Sequence, residues 1–539
     1  MSEGRMRDKV NRRTASMWCS GVCVAFLALA GCGGQAASGG AGGKVDDLSI
    51  RLESDWDSLD PARAQGTYAF QVIGSLYDRL VAIENGKVVP YLATSWKQAP
   101  DSVTFTLRPG VTCGDGQALT PAAVAESLKR LGDPKTKAPY AQLVFGSAGH
   151  TVTSDATANQ VTVRTAKPYS DLLEGLAQPM ASIVCPAGLK APDSLGATPA
   201  GSGPYTLTKS VRGSQYTLTA RSGYGWGPQT GKAHYYPRKV TFRVVANQST
   251  AANLLTTGQL GIGAISGADT RRLQSNTSVK RTSQLTNGSY FLVFNQAPGR
   301  PGADPAVRRA LARAVSASSF NKAAMHGSST EARSVFSPMM PCYRAVLPGP
   351  MAADVNAARQ ALTAAGWSGG SGTLSKAGKP LRLKLAGTNE MGPGFEYLQV
   401  ALRSAGADVT LRNGDTKTLA ETLFGTGDWD ATVYPFTPPA PTPSALSLFV
   451  TGPAAPNGTN FAAMDDPSYD AAAAKALSAL GPQRCEAWGE AQQALHDSAN
   501  VFPLVHLKTD WFSSVPVRFG LADGATTVDI HTITTTAGS

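Results

Sequence analysis

The chain is short of charge and of metal-binding patterns. Asp, Glu, Lys and Arg make up 16% of its 539 residues, against ~25% in ordinary soluble proteins. Six histidines are scattered at 150, 234, 326, 496, 506 and 531, and no Cys-x-x-Cys spacing occurs, so no zinc site is expected. HExxH, a Walker A lysine loop and a dinucleotide fingerprint are all missing. No run of Lys and Arg exceeds two residues, whereas a nucleic-acid surface gathers positive charge into a stripe with interleaved aromatics. No apolar stretch reaches the ~20 residues of a membrane-spanning helix. What is abundant is hydrophobic residues at 42%, with 56 Gly and 35 Pro. That mixture excludes a long coiled coil and a disordered chain, and the length implies more than one small module.

The first 44 residues read as an address. Arg5, Arg7, Lys9, Arg12 and Arg13 precede the uncharged, mostly apolar run Met17 to Ala30, the layout of a secretory signal. Leu29-Ala30-Gly31-Cys32 resembles the lipobox of bacterial lipoproteins, in which the cysteine is acylated and becomes the mature N-terminus. A signal over 1–31, lipidation at Cys32 and a place on the extracytoplasmic face of the cell membrane are therefore expected. Without residues 1–31 the chain carries 44 basic against 36 acidic residues, a diffuse net charge of +8. Residues 32–44 are a Gly/Ala/Ser tether, a coil reaching roughly 20 Å.

Four cysteines remain in the body, Cys113, Cys185, Cys342 and Cys485, in a compartment that permits disulfides. Four cysteines allow three pairings. The pairing expected is Cys113–Cys185, inside the N-terminal half, with Cys342–Cys485 flanking a second lobe.

Strands are predicted near 48–52, 103–107, 160–164, 216–220, 240–245, 290–294, 381–385 and 409–411, several of them alternating apolar with Thr, Arg or Lys at period 2. Helices are predicted near 121–131, 305–315, 354–365, 394–404 and 468–479. Asp304 before Pro305 and Thr120 before Pro121 are start signals, and Gly366 is a stop. Trp96, Trp226 and Trp367 read as packing residues. Strands and helices alternate without a fixed repeat, which argues α/β.

Several segments in order resemble the family 5 extracellular solute-binding proteins, the peptide/nickel/opine receptors of ABC importers. They include Ser58-Leu59-Asp60-Pro61, Leu76-Tyr77-Asp78-Arg79-Leu80, Pro90 to Trp96, Val103 to Val111 and Asp115-Gly116. Gly201-Ser202-Gly203-Pro204-Tyr205, Tyr290 to Asn295, Val307 to Leu311, Ala364 to Trp367 and Phe502-Pro503-Leu504 continue the series to about residue 515. The resemblance implies a two-lobed, periplasmic-binding-protein-like α/β fold with an extra subdomain inserted in the first lobe. The first lobe is expected over 45–285, with the insertion at about 70–195. The second is expected over 290–500, and residues 505–539 return to the first.

It further implies that the ligand is a peptide or peptide-like solute held between the lobes and passed to an ABC permease with its ATPase subunits, without a cofactor or nucleic acid. Ligand contacts are expected from Trp56, Tyr68, Trp429, Tyr434 and Phe436. In peptide-binding members a W-x-A-D-Y-like segment supplies an acid for the peptide's α-ammonium. Here Phe436 falls where the Trp is expected and Pro439 about where the Asp is. The cleft is thus expected to be aromatic and to lack a dedicated acid, with the Pro-rich run 437–443 stiffening its wall.

The alternative is a secreted lipoprotein hydrolase acting on peptides or cell-envelope material. Its one formal motif is Gly366-Trp367-Ser368-Gly369-Gly370. A nucleophile elbow needs a strand before the serine and a helix after it, and the pattern here is a helix followed by a Gly-rich loop. The chain is expected not to be an enzyme.

Overall fold

The computed structural model describes residues 45–84, 86–228, 235–438, 440–522, 524 and 526–535. The expected signal 1–31, the lipidation site Cys32, the tether 32–44 and Pro439 lie outside them.

The architecture is organised by two long antiparallel strands, Lys280–Phe294 and Phe502–Ser513. At ~3.3 Å per residue the first is roughly 50 Å long, enough to run through two packed halves of one molecule. Each long strand has a different outer neighbour at a different end. Ser289 to Phe294 pair with Ala431–Phe436, whereas Trp511 to Ser513 pair with Ile262–Ala264. The eleven-stranded sheet therefore grows in two directions from one central pair. On one side follow Ala431–Phe436, Arg382–Thr388 and Asp408–Gly414; on the other follow Ile262–Ala264, Asp47–Leu52, Lys239–Val244, Gln215–Ala220 and Tyr205–Val211. Thr330–Glu331 pairs with Phe502–Ser513 off this path.

Alternation explains which face each strand buries. Leu48, Ile50 and Leu52 of the first strand point into one core, in parallel register with Val240 to Val244. That core also takes Trp511, Val517, Val528, Ile530 and Ile533, so the C-terminal hairpin Val517–Ala522/Thr527–Thr535 packs with the N-terminal part of the chain. A second core gathers Leu292, Phe294, Leu383, Leu385, Phe395 and Leu504. A third gathers Phe291, Trp429, Phe436, Phe461 and Trp488. Each such side chain contributes about 1.5–3 kcal/mol when fully buried. A separate four-stranded antiparallel sheet, Ala93–Ala99, Ser102–Leu107, Gln160–Thr165 and His150–Asp155, lies within the N-terminal part.

Local chemistry fixes the helix ends. Thr120 accepts a hydrogen bond from the Ala123 N–H ahead of helix Pro121–Gly132. Asp304 does the same for Ala306 ahead of Pro305–Ala312, and Asp354 for Ala357 ahead of Val355–Ala364. Each bond satisfies a donor that the helix itself leaves free. Trp226 is buried, and Trp96 and Trp367 are half-buried against the cores, as packing residues are.

The strand predicted near 290–294 is only the end of the fifteen-residue strand. Residues 280–289 are largely polar, so no apolar alternation marks them. Midway, residues 286–288 bulge out opposite the single residue 507, which breaks the ladder and bends the pair. Gly288 sits where a Cβ would lie 2.9 Å from the Thr437 methyl and 3.0 Å from Leu507, so no larger side chain fits without a shift. Asn287 donates to the Pro438 carbonyl at 2.7 Å, and its N–H donates to the Gly524 carbonyl at 3.2 Å.

Disulfides join Cys113 to Cys185 and Cys342 to Cys485, with sequence separations of 72 and 143. This is one of the three possible pairings, and it is the expected one.

Candidate ligand-binding site

A cavity of about 820 Å³ opens where the two halves of the sheet meet. The end of the first strand supplies Arg51, Glu53 and Ser54, and the start of helix Thr67–Leu76 supplies Tyr68 and Gln71. The long strands supply Arg281, Thr286 and Lys508 to Trp511, while Met325 to Ser328 close the other side.

Its carboxylates are already engaged. Glu53 accepts from the Tyr68 hydroxyl at 3.1 Å and the Gln248 amide at 3.0 Å, and lies 4.0 Å from the Arg51 guanidinium. Arg51 is itself buried and fixed. It donates to the carbonyls of Val245, Ala246 and Ala264 and to the Gln248 side chain. Burial pulls the Arg51 pKa down against the opposing effect of Glu53, and burial followed by Glu53 pushes the Tyr68 phenol up. Tyr68 thus stays a neutral hydrogen-bond donor. Asp510, buried on the long strand, accepts from Arg281 at 2.9 Å.

The remaining cavity cations differ. Lys508 and Arg271 are exposed, and neither meets a carboxylate within 4.0 Å among the described residues. Trp511 is 5% exposed, and its buried indole N–H has no acceptor among the described residues.

Of the five expected ligand contacts, only Tyr68 lines this cavity. Trp56 is buried in the first core against Tyr216, with Arg212 over its ring. Trp429 and Phe436 are fully buried in the third core. Tyr434, half-buried, stacks on Phe461 at 4.5 Å beside Phe449. Aromatic content alone does not separate a wall from a core, and here the core takes four of the five. Among the described residues the cavity lining combines charged and polar side chains with Tyr68 and Trp511, and its two acids, Glu53 and Asp510, each lie beside an arginine.

Sequence reasoning missed Glu53, Arg271, Arg281, Lys508 and Asp510. One signal was available, since Lys508 and Asp510 interrupt the apolar run of Phe502–Ser513. Asp428 and Asp430 offer no free charge. Asp428 pairs with Lys384 and Arg412, and Asp430 with Arg300.

A second contact joins distant parts of the chain. Arg484 donates to Asp171 at 2.5 Å and to Glu174 at 2.7 Å, with side chains 10%, 0% and 14% exposed. The Ser444 N–H donates to Asp171 at 3.0 Å, Tyr169 and Ser444 share hydroxyls at 3.0 Å, and Ser170 bonds to the Ala476 and Leu477 carbonyls. Burial raises the Glu174 pKa against the pull of Arg484. For Arg484, burial works downward but the two carboxylates outweigh it, and the net direction is up.

No nucleophile elbow forms at Ser368. The helix Val355–Ala364 precedes it and the short hairpin Ser375–Lys376/Lys379–Pro380 follows. Among the described residues no group of three or more His, Cys, Asp or Glu is placed to hold a metal ion, and no helix is long and apolar enough to cross a membrane.

The family model described as "Bacterial extracellular solute-binding proteins, family 5 Middle" matches residues 87–458. The chain belongs to that family. Among family relatives, the nickel-binding periplasmic protein of Escherichia coli (strain K12) is 29% identical over 352 residues, covering 62% of this chain and 65% of the relative. The glutathione-binding protein GsiB of the same strain is 28% identical over 332 residues, covering 61% and 63%. The chain thus spans just under two thirds of the length of these curated relatives. A substrate-binding protein from Microbacterium hydrocarbonoxydans, solved with 4-hydroxybenzoate hydrazide, superposes with a TM-score of 0.72 at 30% identity, over 91% of this chain and all of that one. The fold is the two-lobed substrate-binding architecture of the family, mixed α/β.

Proposed function

We propose that this family 5 protein is the substrate-binding component of an ABC importer. It captures a peptide-like organic solute in the cavity between its lobes and delivers it to a permease driven by ATPase subunits. A lipid on Cys32 holds it on the extracytoplasmic face of the membrane, and the 32–44 coil gives the body its reach. The first lobe comprises residues 45–285 with 505–539, and the second 290–500.

The observation that supports this most directly is the cavity's position. It sits on the central strand pair, with walls from residues 51–71 and 248–274 on one side and 325–328 on the other. Rotation about that pair opens and closes such a site, and closure buries what it holds. The names of the relatives, which bind nickel, glutathione or an aromatic hydrazide, are consistent with a small organic or chelated ligand. A hydrolase reading gains nothing from the site. Ser289 and His506 pair at 2.9 Å, but both are buried in the long strands and neither lines the cavity.

Calorimetry of the ligand-free body against free and N-acetylated short peptides is the test, paired with small-angle scattering for closure. Saturable binding with a smaller radius of gyration is expected. Turnover of a peptide library, or no compaction with any bound solute, would reject the reading. Separately, Cys32→Ala should release the protein from membranes; retention at unchanged mass would exclude the lipid anchor.

A further inference from the structure

The geometry points to an anionic solute, which we propose is held through a carboxylate by Lys508 and Arg271. The inference rests on the interlobe cavity being the ligand site and deepens that reading by naming the ligand's charge.

The charges in the cavity are not balanced. Among the described lining residues four Lys and Arg side chains, Arg51, Arg271, Arg281 and Lys508, together with His326, face two acidic ones, Glu53 and Asp510. Both acids are committed: Glu53 to Arg51, Tyr68 and Gln248, and Asp510 to Arg281. An incoming ammonium would have to share a carboxylate that an arginine already neutralises. An incoming carboxylate meets two cations with no carboxylate partner among the described residues.

The sheet sets the scale. The first strand, Ile262–Ala264 and Phe502–Ser513 are consecutive neighbours. At ~4.8 Å per strand, the Glu53 and Lys508 backbones stand on the order of 10 Å apart. Glu53 therefore stands apart from Lys508, while Asp510, two residues along the same strand, is engaged by Arg281. Charges in a cleft with low-dielectric walls act more strongly than on open surface, and they select partners by sign.

The test uses four forms of trialanine: free, N-acetylated, C-amidated, and blocked at both ends. N-acetyl-trialanine, an anion, should bind more tightly than the doubly blocked form. Loss of one charge-assisted hydrogen bond should weaken it roughly tenfold to a hundredfold in Lys508→Gln and in Arg271→Gln, while Lys508→Arg should restore binding. In the wild-type protein, raising the salt concentration should narrow the gap between these two peptides, a readout that needs no variant to fold. Equal or tighter binding of the C-amidated forms would overturn the anionic assignment and leave the peptide reading standing. If no trialanine binds, the peptide reading fails and native mass spectrometry of the copurifying solute decides the charge. A solute anionic at pH 7 supports the assignment, and a neutral or cationic one overturns it.

Discussion

Arg484 and Lys508 show two ways this chain holds a positive charge between its parts. Arg484 is 10% exposed and bonded to the buried Asp171 and to the nearly buried Glu174, and Asp171 also accepts from the Ser444 N–H. Lys508 is an exposed residue of an otherwise largely buried long strand beside a cavity, with no carboxylate partner among the described residues. The first arrangement pairs its charges within the chain, although Arg484 Nε and Glu174 Oε2 have no hydrogen-bond partner among the described residues, and removing one member leaves uncompensated charge in a dry place. The second is open to solvent and gains a partner only from outside. Stability and recognition are therefore carried by different cations, and a substitution at one need not disturb the other.

The largest effect that would sharpen this contrast is at Arg484. Arg484→Met leaves Asp171 and Glu174 buried without their cation and should cost about 3–5 kcal/mol in urea unfolding. Adding Asp171→Asn and Glu174→Gln should recover most of it, because neutral groups replace the stranded charges. A single-variant loss under about 1 kcal/mol would mean the cluster behaves as a surface pair. The neighbouring Cys485 staples the same helix, Gly481–Asp497, to Cys342. Replacing both cysteines by Ala should cost about 2–4 kcal/mol with little change in affinity at the cavity; a collapse of affinity instead would couple the two regions.

A smaller effect is expected at His506, on the long strand that carries Lys508. Burial pushes its pKa down to about 4, and its Nδ1 lies 2.9 Å from Ser289 Oγ. Between pH ~6.5 and ~4 the unfolded chain takes up a proton that the folded chain refuses. Stability from this group is thus complete above the upper limit and is lost as pH falls through that window, by roughly 2–3 kcal/mol. Melting curves from pH 7 to 4 should show a shallower slope in His506→Gln; an unchanged slope would assign the loss elsewhere. The smallest change in stability is expected for Tyr68→Phe, about 1 kcal/mol or less, since Glu53 is 43% exposed and water replaces the lost donor. A larger penalty would show that the cavity, too, is part of the folding scaffold.

The fold was more legible than the site, for physical reasons. Caps and turn residues act locally, so Thr120-Pro121, Asp304-Pro305 and Asp354 marked helix starts that the structure has. The helix Gly481–Asp497 escaped notice because its residues, from Gly481-Pro482-Gln483 onward, show little apolar periodicity; its stability comes from Trp488, Leu495 and the partners of Arg484. The strand Ala431–Phe436 was hidden by Pro435 and the prolines after it, yet the long strand pairs along its length. At the site, Tyr68 lines the cavity. Trp56, Trp429 and Phe436 looked the same in sequence and are core. Glu53, Lys508 and Asp510 belong to one cavity only because distant strands become neighbours, and the sole local hint is that Lys508 and Asp510 interrupt the apolar run of their strand.

The disulfide pattern has a consequence for how the chain is assembled. The bridges follow one another along the sequence, first Cys113–Cys185 and then Cys342–Cys485, and neither encloses the other. A chain threaded outward from its N-terminus presents its first two body thiols together before the third has emerged. An oxidant that joins thiols in order of appearance then yields the correct set directly, and no mispaired bridge has to be reshuffled before the later half of the protein arrives.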